Sequence, residues 1–326
     1  MASNGDTHHR RAVIGNASNF WLYSTRTGFD LTHPATPESP PVSPRVTIET
    51  TNTPITIDPA KSALVIIDMQ NFFLSAAFGR QKGPGHAAQE QLIQHAIPAA
   101  RRAKMQIIWL NWGLTDKEIK EMPPGVNRSF GFETVSEDEA KLDGHVFEAK
   151  GAGVAANKHG KLEGQENVEN NKKGKIYKGL GSECGLVIDP DSGKEVDGGR
   201  LLMRDAWNSA LHPPLNKMYE EGRKVESRPD VWIHKNRMSG MWGVKTECEE
   251  YLEKEGIRTL FFTGVNTDQC VGGTLTDSFS KGYDCKCGDG SSVADLLMLT
   301  HKAFCSTMEP LLRVHSMLSN ACKFAR

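Results

Sequence analysis

The chain has 326 residues, which is enough for one enlarged α/β domain or for two small ones. Its 39 Lys and Arg residues balance 40 Asp and Glu residues, and a formal net charge of -1 excludes a general attraction to nucleic acid or to an acidic membrane surface. The 7 cysteines form no CxxC pair, and the longest apolar runs are far too short to span a bilayer. We therefore expect no disulfide scaffold, no membrane segment and a reducing, cytoplasmic location.

The first part of the chain, residues 1–55, is interpreted as a polar, Pro-rich N-terminal arm. Its second half is crowded with prolines, which are Pro34, Pro37, Pro40, Pro41 and Pro44. Such a segment cannot be helical and is typical of an extended linker. The apolar cluster at residues 20–23 is interpreted as a strap packed over the main domain, with a contact to a partner as the alternative.

Two short, continuous apolar runs predict strands that are buried on both faces. They are residues 63–67, which Asp68 follows, and residues 106–110. Between them, apolar residues at helical spacing over residues 92–100 predict a helix. Pro98 lies inside that pattern, so the helix should kink or be split there.

The middle of the chain, residues 113–228, has abundant Lys and Glu, recurring Gly and weak apolar periodicity. We interpret it as an insertion on a single domain of residues 56–326. Residues 158–178 are almost free of apolar side chains and are expected to form a mobile surface excursion. The apolar run within residues 185–189, followed by a Pro-Asp-Ser-Gly turn, indicates a hairpin.

Three further strands are predicted at residues 231–234, 259–263 and 283–287. Strands that alternate with helices indicate right-handed βαβ units and a parallel sheet covered on both faces. The predicted fold class is therefore α/β, a three-layer αβα arrangement with a mainly parallel, Rossmann-like sheet, extended by the N-terminal arm and the long insertion.

The two helices that join these last strands should each bury one apolar face. In the first helix, Val244 and Leu252 should face the core. The second helix should begin at Cys270 and bury Leu275 and Phe279.

Three chemically complementary residues follow predicted strands: Asp68, Lys235 and Cys270. Because the carboxyl ends of parallel strands meet at one edge of the sheet, we expect these side chains to converge. A nearby Lys235 ammonium and the positive end of the helix at Cys270 would favour the reactive thiolate. The Asp68 carboxylate can accept the thiol proton and pass it to a leaving amine. Taken singly, a capping Asp, a solvated Lys and an inert buried Cys are the more usual interpretations.

Three segments resemble the signature segments of the isochorismatase-like cysteine hydrolases, which include nicotinamidases, N-carbamoylsarcosine amidohydrolases, biuret hydrolases and ureidoacrylate amidohydrolases. They are residues 68–73 (DMQNFF), residues 234–239 (HKNRMS) and residues 263–271 (TGVNTDQCV). The third segment is the most specific, and the order of the other two supports it. The resemblance covers residues 60–110 and 228–284.

The resemblance implies a role for each catalytic candidate. Asp68 would be the general base, Lys235 would tune the charge of the base and of the thiol, and Cys270 would be the nucleophile. A non-proline cis peptide between Val265 and Asn266 is also implied, with the N–H groups of Asn266 and Cys270 as the oxyanion hole.

The resemblance and the chain order also indicate substrate-binding residues. Phe73 would stack on the substrate and Gln269 would lie beside it. Trp112, just past the second strand, is a further pocket candidate. For Phe73 and Trp112, ordinary core packing is the alternative.

Two departures from the family pattern carry predictions. Nicotinamidase-type members bind a metal through an Asp and His residues soon after the second strand, whereas residues 111–116 here contain no His. We therefore predict no metal site and no other cofactor. The family's last strand is apolar and ends in an Asp, whereas residues 283–292 are polar and rich in Gly, with Asp289 as the candidate for that position.

The predicted function is a hydrolase that cleaves a C–N bond of a small amide, ureido or carbamoyl compound through a cysteine thioester and releases ammonia or an amine. Two alternatives stay open: a catalytically weak member that acts as a binding or interaction protein, and an isochorismate vinyl-ether hydrolase. The family's true isochorismate hydrolases do not depend on a cysteine, so Cys270 favours the amide reaction. The expected partners are the small-molecule substrate and further copies of the chain in a homo-oligomer, with no nucleic acid and no membrane.

Overall fold

The computed structural model describes residues 9–50, 53–136, 153–163 and 175–287. At its centre is a sheet of five parallel strands. In order across the sheet they are β12 (Val231–Lys235), β7 (Gln106–Trp112), β6 (Ser62–Ile67), β13 (Thr259–Gly264) and β14 (Asp284–Cys287). The predicted parallel sheet is confirmed, and its carboxyl ends all lie at one edge.

The central strand β6 is buried along its whole length, as its continuous apolar run predicts. Successive side chains point to opposite faces of the sheet. Val65 and Ile67 therefore join one hydrophobic cluster, whereas Leu64 and Ile66 join the other. Both faces of the sheet thus need a covering layer.

Helices supply both layers. The α-helices of the described residues are α1 (Asn71–Leu74), α2 (Pro84–Gln91), α3 (Ile97–Arg102), α4 (Asp116–Lys120), α5 (Pro124–Ser129), α6 (Leu215–Gly222), α7 (Glu247–Lys254) and α8 (Gly272–Ser280). On one face, α7 packs through Leu252 and α8 through Leu275. On the other face, α3 packs through Ile97 and α6 through Leu215. The three-layer αβα prediction is confirmed.

The helix predicted across residues 92–100 is split, as its proline indicated. A π-helical turn at Leu92–Ala96 joins α2 to α3. Pro98 lies in the first turn of α3, where a missing N–H is tolerated. The wider π turn accommodates the proline without ending the helical path.

Two predicted core contacts are wrong. Val244 is fully exposed because it precedes α7, which Thr246 caps by accepting a hydrogen bond from the Glu249 N–H at 3.3 Å. Phe279 is 56% exposed. The preceding π-helical turn displaces the start of α8 to Gly272, and the buried face then runs through Leu275.

The predicted N-terminal arm contains a small sheet, which was not predicted because the segment is rich in proline. Its strands are β1 (Arg11–Asn16), β2 (Asn19–Ser24), β3 (Gly28–Leu31), β4 (Val46–Ile48) and β5 (Ile55–Ile57). They are ordered β1-β2-β3-β5-β4, and the Pro-rich residues 32–45 form the connection between β3 and β4 without helix or strand. A two-residue turn joins β1 to β2, where Asn16 Oδ1 accepts hydrogen bonds from the Ser18 and Asn19 N–H groups.

This N-terminal sheet is joined to the central sheet at the start of β14. Phe20 is buried, and Trp21 Nε1 donates a hydrogen bond to Asp284 Oδ1 at 2.7 Å. Asp284 Oδ2 also lies 2.6 Å from His33 Nε2 and accepts a hydrogen bond from Thr259 Oγ1 at 2.8 Å. The apolar cluster at residues 20–23 therefore acts as the predicted strap.

The predicted insertion contributes four short strands and several core residues. Strands β8 (Phe132–Thr134) and β9 (Val154–Ala156) form one antiparallel pair, and β10 (Leu186–Ile188) and β11 (Glu195–Asp197) form another. The second pair is the predicted hairpin. Leu201 and Leu202 are completely buried in the main core. The predicted excursion at residues 158–178 lies partly outside the described residues. Asp289 lies outside them altogether.

Among the residues that the structure describes, no helix has the length and apolar character needed to cross a membrane.

Candidate active site

The site is assembled at the carboxyl edge of the central sheet. Asp68 follows β6, and its positive φ of 52° is one that Asp tolerates better than most residues. Its N–H donates a hydrogen bond to the Leu110 carbonyl at 3.2 Å. Lys235 is the last residue of β12. Cys270 lies in the π-helical turn Thr267–Val271 that follows β13.

The Asp68 carboxylate and the Lys235 ammonium form a buried ion pair. Lys235 Nζ lies 2.9 Å from Asp68 Oδ2, and both side chains are at most 1% exposed. Lys235 Nζ also donates to the Arg237 carbonyl at 3.0 Å and lies 4.1 Å from the centre of the Trp112 ring. Asp68 Oδ1 accepts a hydrogen bond from the Trp112 N–H at 3.1 Å. These contacts hold both charged groups in place and compensate part of their desolvation.

The thiol of Cys270 completes the cluster. The protonation of the thiol is electrostatically coupled to that of the Asp68 side chain, and its Sγ lies 3.7 Å from Met238 Sδ. Cys270 is only 3% exposed. The structure thus brings together the three residues that the sequence singled out, while their catalytic roles stay a prediction.

Burial dominates the protonation of this cluster. Burial raises the pKa of Asp68, and the Lys235 charge opposes that rise. Burial also raises the pKa of the Cys270 thiol to about 12, with the Asp68 charge adding to the rise and the Lys235 charge opposing it. The Lys235 charge lowers the pKa of the thiol in the expected direction, but desolvation raises that pKa by more. The resting thiol is protonated beside a carboxylate with a raised proton affinity.

The turn before the nucleophile has an unusual backbone. The peptide between Val265 and Asn266 is cis, as the resemblance implied. Gly264 precedes it with φ of 117°, and a Cβ at that residue would collide with the Ile67 carbonyl oxygen. The Asn266 carbonyl accepts hydrogen bonds from the Gln269 N–H at 3.0 Å and from the Val271 N–H at 3.2 Å. The turn is therefore packed directly against the strand that carries Asp68.

A cleft of about 1070 Å³ opens beside this turn. Phe73, Asn266 and Gln269 line it, and Gln269 is exposed. Trp112 does not line the cleft, because it is completely buried under the Lys235 ammonium. Cys270 is not among the lining residues, but Gln269 directly before it is.

Sequence reasoning missed several residues of the site. Gln70 Oε1 accepts from the Trp112 N–H at 3.1 Å, and its Nε2 donates to the Ser209 carbonyl at 2.7 Å, which ties the site to the insertion. Its place within the first signature segment was the available signal. Met238 lies in the second signature segment. Tyr177 lines the cleft from the insertion, where no local pattern indicated it.

In the described part of the chain, no three His, Cys, Asp or Glu side chains are grouped as a metal site would require. The predicted absence of a metal and of other cofactors stays a prediction.

A family model described as the isochorismatase domain matches residues 199–312. The match includes β12, β13 and β14, and with them Lys235 and Cys270, whereas Asp68 precedes it. The resemblance found in the sequence is therefore confirmed.

Several solved structures are similar to this chain. A nicotinamidase from Bacillus subtilis is 14% identical, with 76% of this chain and 93% of that chain covered and a TM-score of 0.42. A cysteine hydrolase from Pseudomonas syringae pv. phaseolicola 1448A is 15% identical, with 71% of each chain covered and a TM-score of 0.39. An N-carbamoylsarcosine amidase from Thermoplasma acidophilum is 16% identical, with 71% of this chain and 83% of that chain covered and a TM-score of 0.38.

Proposed function

We propose that this protein is a cysteine-nucleophile amidohydrolase that cleaves a C–N bond of a small amide, ureido or carbamoyl compound. The observation that carries the proposal is the buried cluster in which Asp68 pairs with the Lys235 ammonium and is electrostatically coupled to the buried Cys270 thiol. A proton acceptor, a fixed positive charge and a nucleophile are the parts that acyl transfer through a thioester requires.

The first half of the reaction forms the thioester. Cys270 Sγ bonds to the carbonyl carbon as its proton passes to Asp68, and the π electrons of the carbonyl move to its oxygen. The N–H groups of Asn266 and Cys270 would stabilise that oxyanion. When the intermediate collapses, the C–N bond breaks and the leaving nitrogen takes the proton from Asp68. Lys235 keeps the carboxylate in place throughout.

The second half releases the acid. Asp68 takes a proton from water as the water oxygen bonds to the thioester carbon. The C–S bond then breaks, and Asp68 returns the proton to the Cys270 sulfur. The high thiol pKa of about 12 favours this return, because a protonated thiol is the stable resting form.

The decisive experiment measures ammonia release from nicotinamide, biuret, N-carbamoyl amino acids and ureidoacrylate-like amides. We expect release from at least one compound, and a loss of at least about 10³-fold in Cys270→Ala. Cys248→Ala is the matched control, since Cys248 is also buried and also has a pKa raised to about 12. Activity that survives Cys270→Ala would exclude the thioester mechanism.

The same panel separates the two alternatives. An isochorismate vinyl-ether hydrolase would release pyruvate from isochorismate and would keep its activity in Cys270→Ala. A binding or interaction protein would release nothing from any compound, and alkylating reagents would not label Cys270.

Two properties of the whole protein remain predictions of the sequence. A cytoplasmic location is favoured by the unpaired Cys184, Cys248, Cys270 and Cys285 of the described residues. A homo-oligomeric state is implied by the family resemblance. Cell fractionation and light scattering test them.

A further inference from the structure

The cleft beside the cysteine turn has a strong local excess of positive charge. Its lining includes Arg80, Lys82, Lys158 and Lys175 and, among the residues that the structure describes, no Asp or Glu. The whole chain has a formal net charge of only -1, so its composition gives no indication of this local positive charge. Cations that line one concave surface raise the local concentration of anions.

Arg80 is the best-positioned of these cations. Its Nε donates a hydrogen bond to the Phe72 carbonyl at 2.9 Å, and its guanidinium carbon lies 5.0 Å from the centre of the Phe72 ring. Phe72 precedes the cleft residue Phe73, so the guanidinium is held next to the wall of the site. The side chain is exposed, but the surrounding protein desolvates it in part and so lowers the pKa of Arg80.

Arg80 has no carboxylate partner among the described residues. Its terminal nitrogens form no hydrogen bond to another residue of that part of the chain, and a guanidinium fork presents them in the geometry that binds a carboxylate. Because the guanidinium is exposed and has no counter-charge there, its terminal nitrogens are accessible to an anion that enters the cleft. Arg80, Lys82, Lys158 and Lys175 are all exposed. Arg80 differs in that its guanidinium lies over the Phe72 ring, whereas Lys175 Nζ donates a hydrogen bond to the Cys184 carbonyl at 2.8 Å.

The charged surface is continuous with the proposed reaction site. Val265, Asn266 and Gln269 of the turn that leads to Cys270 line the same cleft as Arg80. A small molecule bound there can therefore place one end on the guanidinium and its other end at the turn.

We propose that the substrate is an anionic small amide, a carboxylate-bearing amide or ureido acid, whose carboxylate is bound by Arg80 while its carbonyl faces Cys270. This inference rests on the proposed function for the reaction itself, but the preference for an anion is a property of the cleft. Arg80 is a substrate-positioning residue that binds the non-reacting end.

The first test measures anion preference without turnover. The rates at which Cys270 is labelled by 3-maleimidopropionate and by neutral N-ethylmaleimide are compared by peptide mass spectrometry, and the pair iodoacetate and iodoacetamide is compared likewise. We expect Arg80→Met to lower the ratio of anionic to neutral rate by about 10- to 100-fold for at least one pair, since charge-assisted contacts are strong. The wild-type ratio should also fall as salt is raised.

Two further variants keep this test decisive. Arg45→Met, an exposed arginine outside the cleft, should leave the ratio unchanged. The double variant Lys82→Met/Lys158→Met removes only exposed cations, so it should fold normally and should lower the ratio to a smaller extent. Unchanged ratios for both reagent pairs in Arg80→Met and in the double variant would overturn the proposal.

The second test uses substrates that differ only in the anion. Succinamate is compared with pentanamide, and N-carbamoylglycine with n-propylurea, in each case with the carboxylate replaced by an ethyl group. We expect the anionic member to have the higher kcat/KM, and Arg80→Met to raise its KM with little change in kcat. Preference for the neutral members would overturn the proposal. An anion-dependent labelling ratio without ammonia release from any amide would instead contradict the amidohydrolase function alone.

Discussion

The buried Asp68–Lys235 pair makes a prediction whose magnitude can be worked out. In Lys235→Met the aliphatic stem is largely kept and the ammonium is lost. Asp68, which is completely buried, would then have to be ionised without its partner or take up a proton. The ordinary pKa of the carboxyl is 3.8. Holding it protonated costs about 1.4 kcal/mol for each pH unit above that value, which is about 4 kcal/mol at pH 7 and about 2 kcal/mol at pH 5.

The sign of the pH dependence follows from the direction of the pKa change. Burial raises the pKa of Asp68 in the folded state, and loss of Lys235 removes the main opposing charge. A carboxyl with a raised folded pKa binds its proton more tightly when folded, so the stabilisation is complete below 3.8 and is lost as the pH rises. The free energy of unfolding of Lys235→Met should therefore fall below that of the wild type by an amount that grows from pH 5 to pH 7.

Urea unfolding at several pH values, followed by tryptophan fluorescence, measures this difference. Lys245→Met is the matched control, because Lys245 pairs with Glu253 at 2.8 Å while both side chains are about half exposed. A solvated pair contributes little, so the control should unfold almost as the wild type does. The reasoning would be refuted if the loss of unfolding free energy in Lys235→Met were independent of pH, or if it equalled the loss in Lys245→Met.

Four further outcomes are expected. Asp284→Ala removes the shared acceptor of Trp21, His33 and Thr259 and should lower the free energy of unfolding by about 3 kcal/mol, with faster proteolysis within residues 11–24; unchanged proteolysis there would contradict the role of Asp284 in holding the strap. Thr246→Ala should cost about 1 kcal/mol in urea unfolding through loss of the α7 cap, and a neutral effect would contradict it. Gly264→Ala should prevent soluble expression or abolish ammonia release, since its Cβ would meet the Ile67 backbone, and full activity would disprove this packing. Labelling of Cys270 by iodoacetamide should keep accelerating from pH 7 to pH 10, because the thiol pKa is about 12, whereas a plateau near pH 8.5 would indicate a solvated thiol.

The strand pattern was predictable because a parallel sheet imposes a simple demand on sequence. Strands covered on both faces must be apolar along their whole length, and β6 is an example. The N-terminal sheet escaped prediction for the opposite reason. All of β1 is exposed, so its pairing with β2 rests on backbone hydrogen bonds and not on an apolar pattern.

Helix phase was predictable only where the helix was regular. Leu252 and Leu275 face the core as their spacing indicated, whereas Phe279 does not. The π-helical turn at Thr267–Val271 changes the rotation per residue, and no single-helix periodicity anticipates such a change.

The sequence alone determined the parallel α/β core and the three residues that meet at its edge, since Asp68, Lys235 and Cys270 each follow a strand and strand ends converge. Only the tertiary structure decided the pKa values of those groups and the charge of the cleft beside them. Desolvation depends on every neighbour in space, so the raised pKa of Cys270 cannot be read from its local motif. The cationic cleft likewise joins Arg80 to Lys158 and Lys175 of the insertion, residues far apart in a chain whose net charge is almost zero.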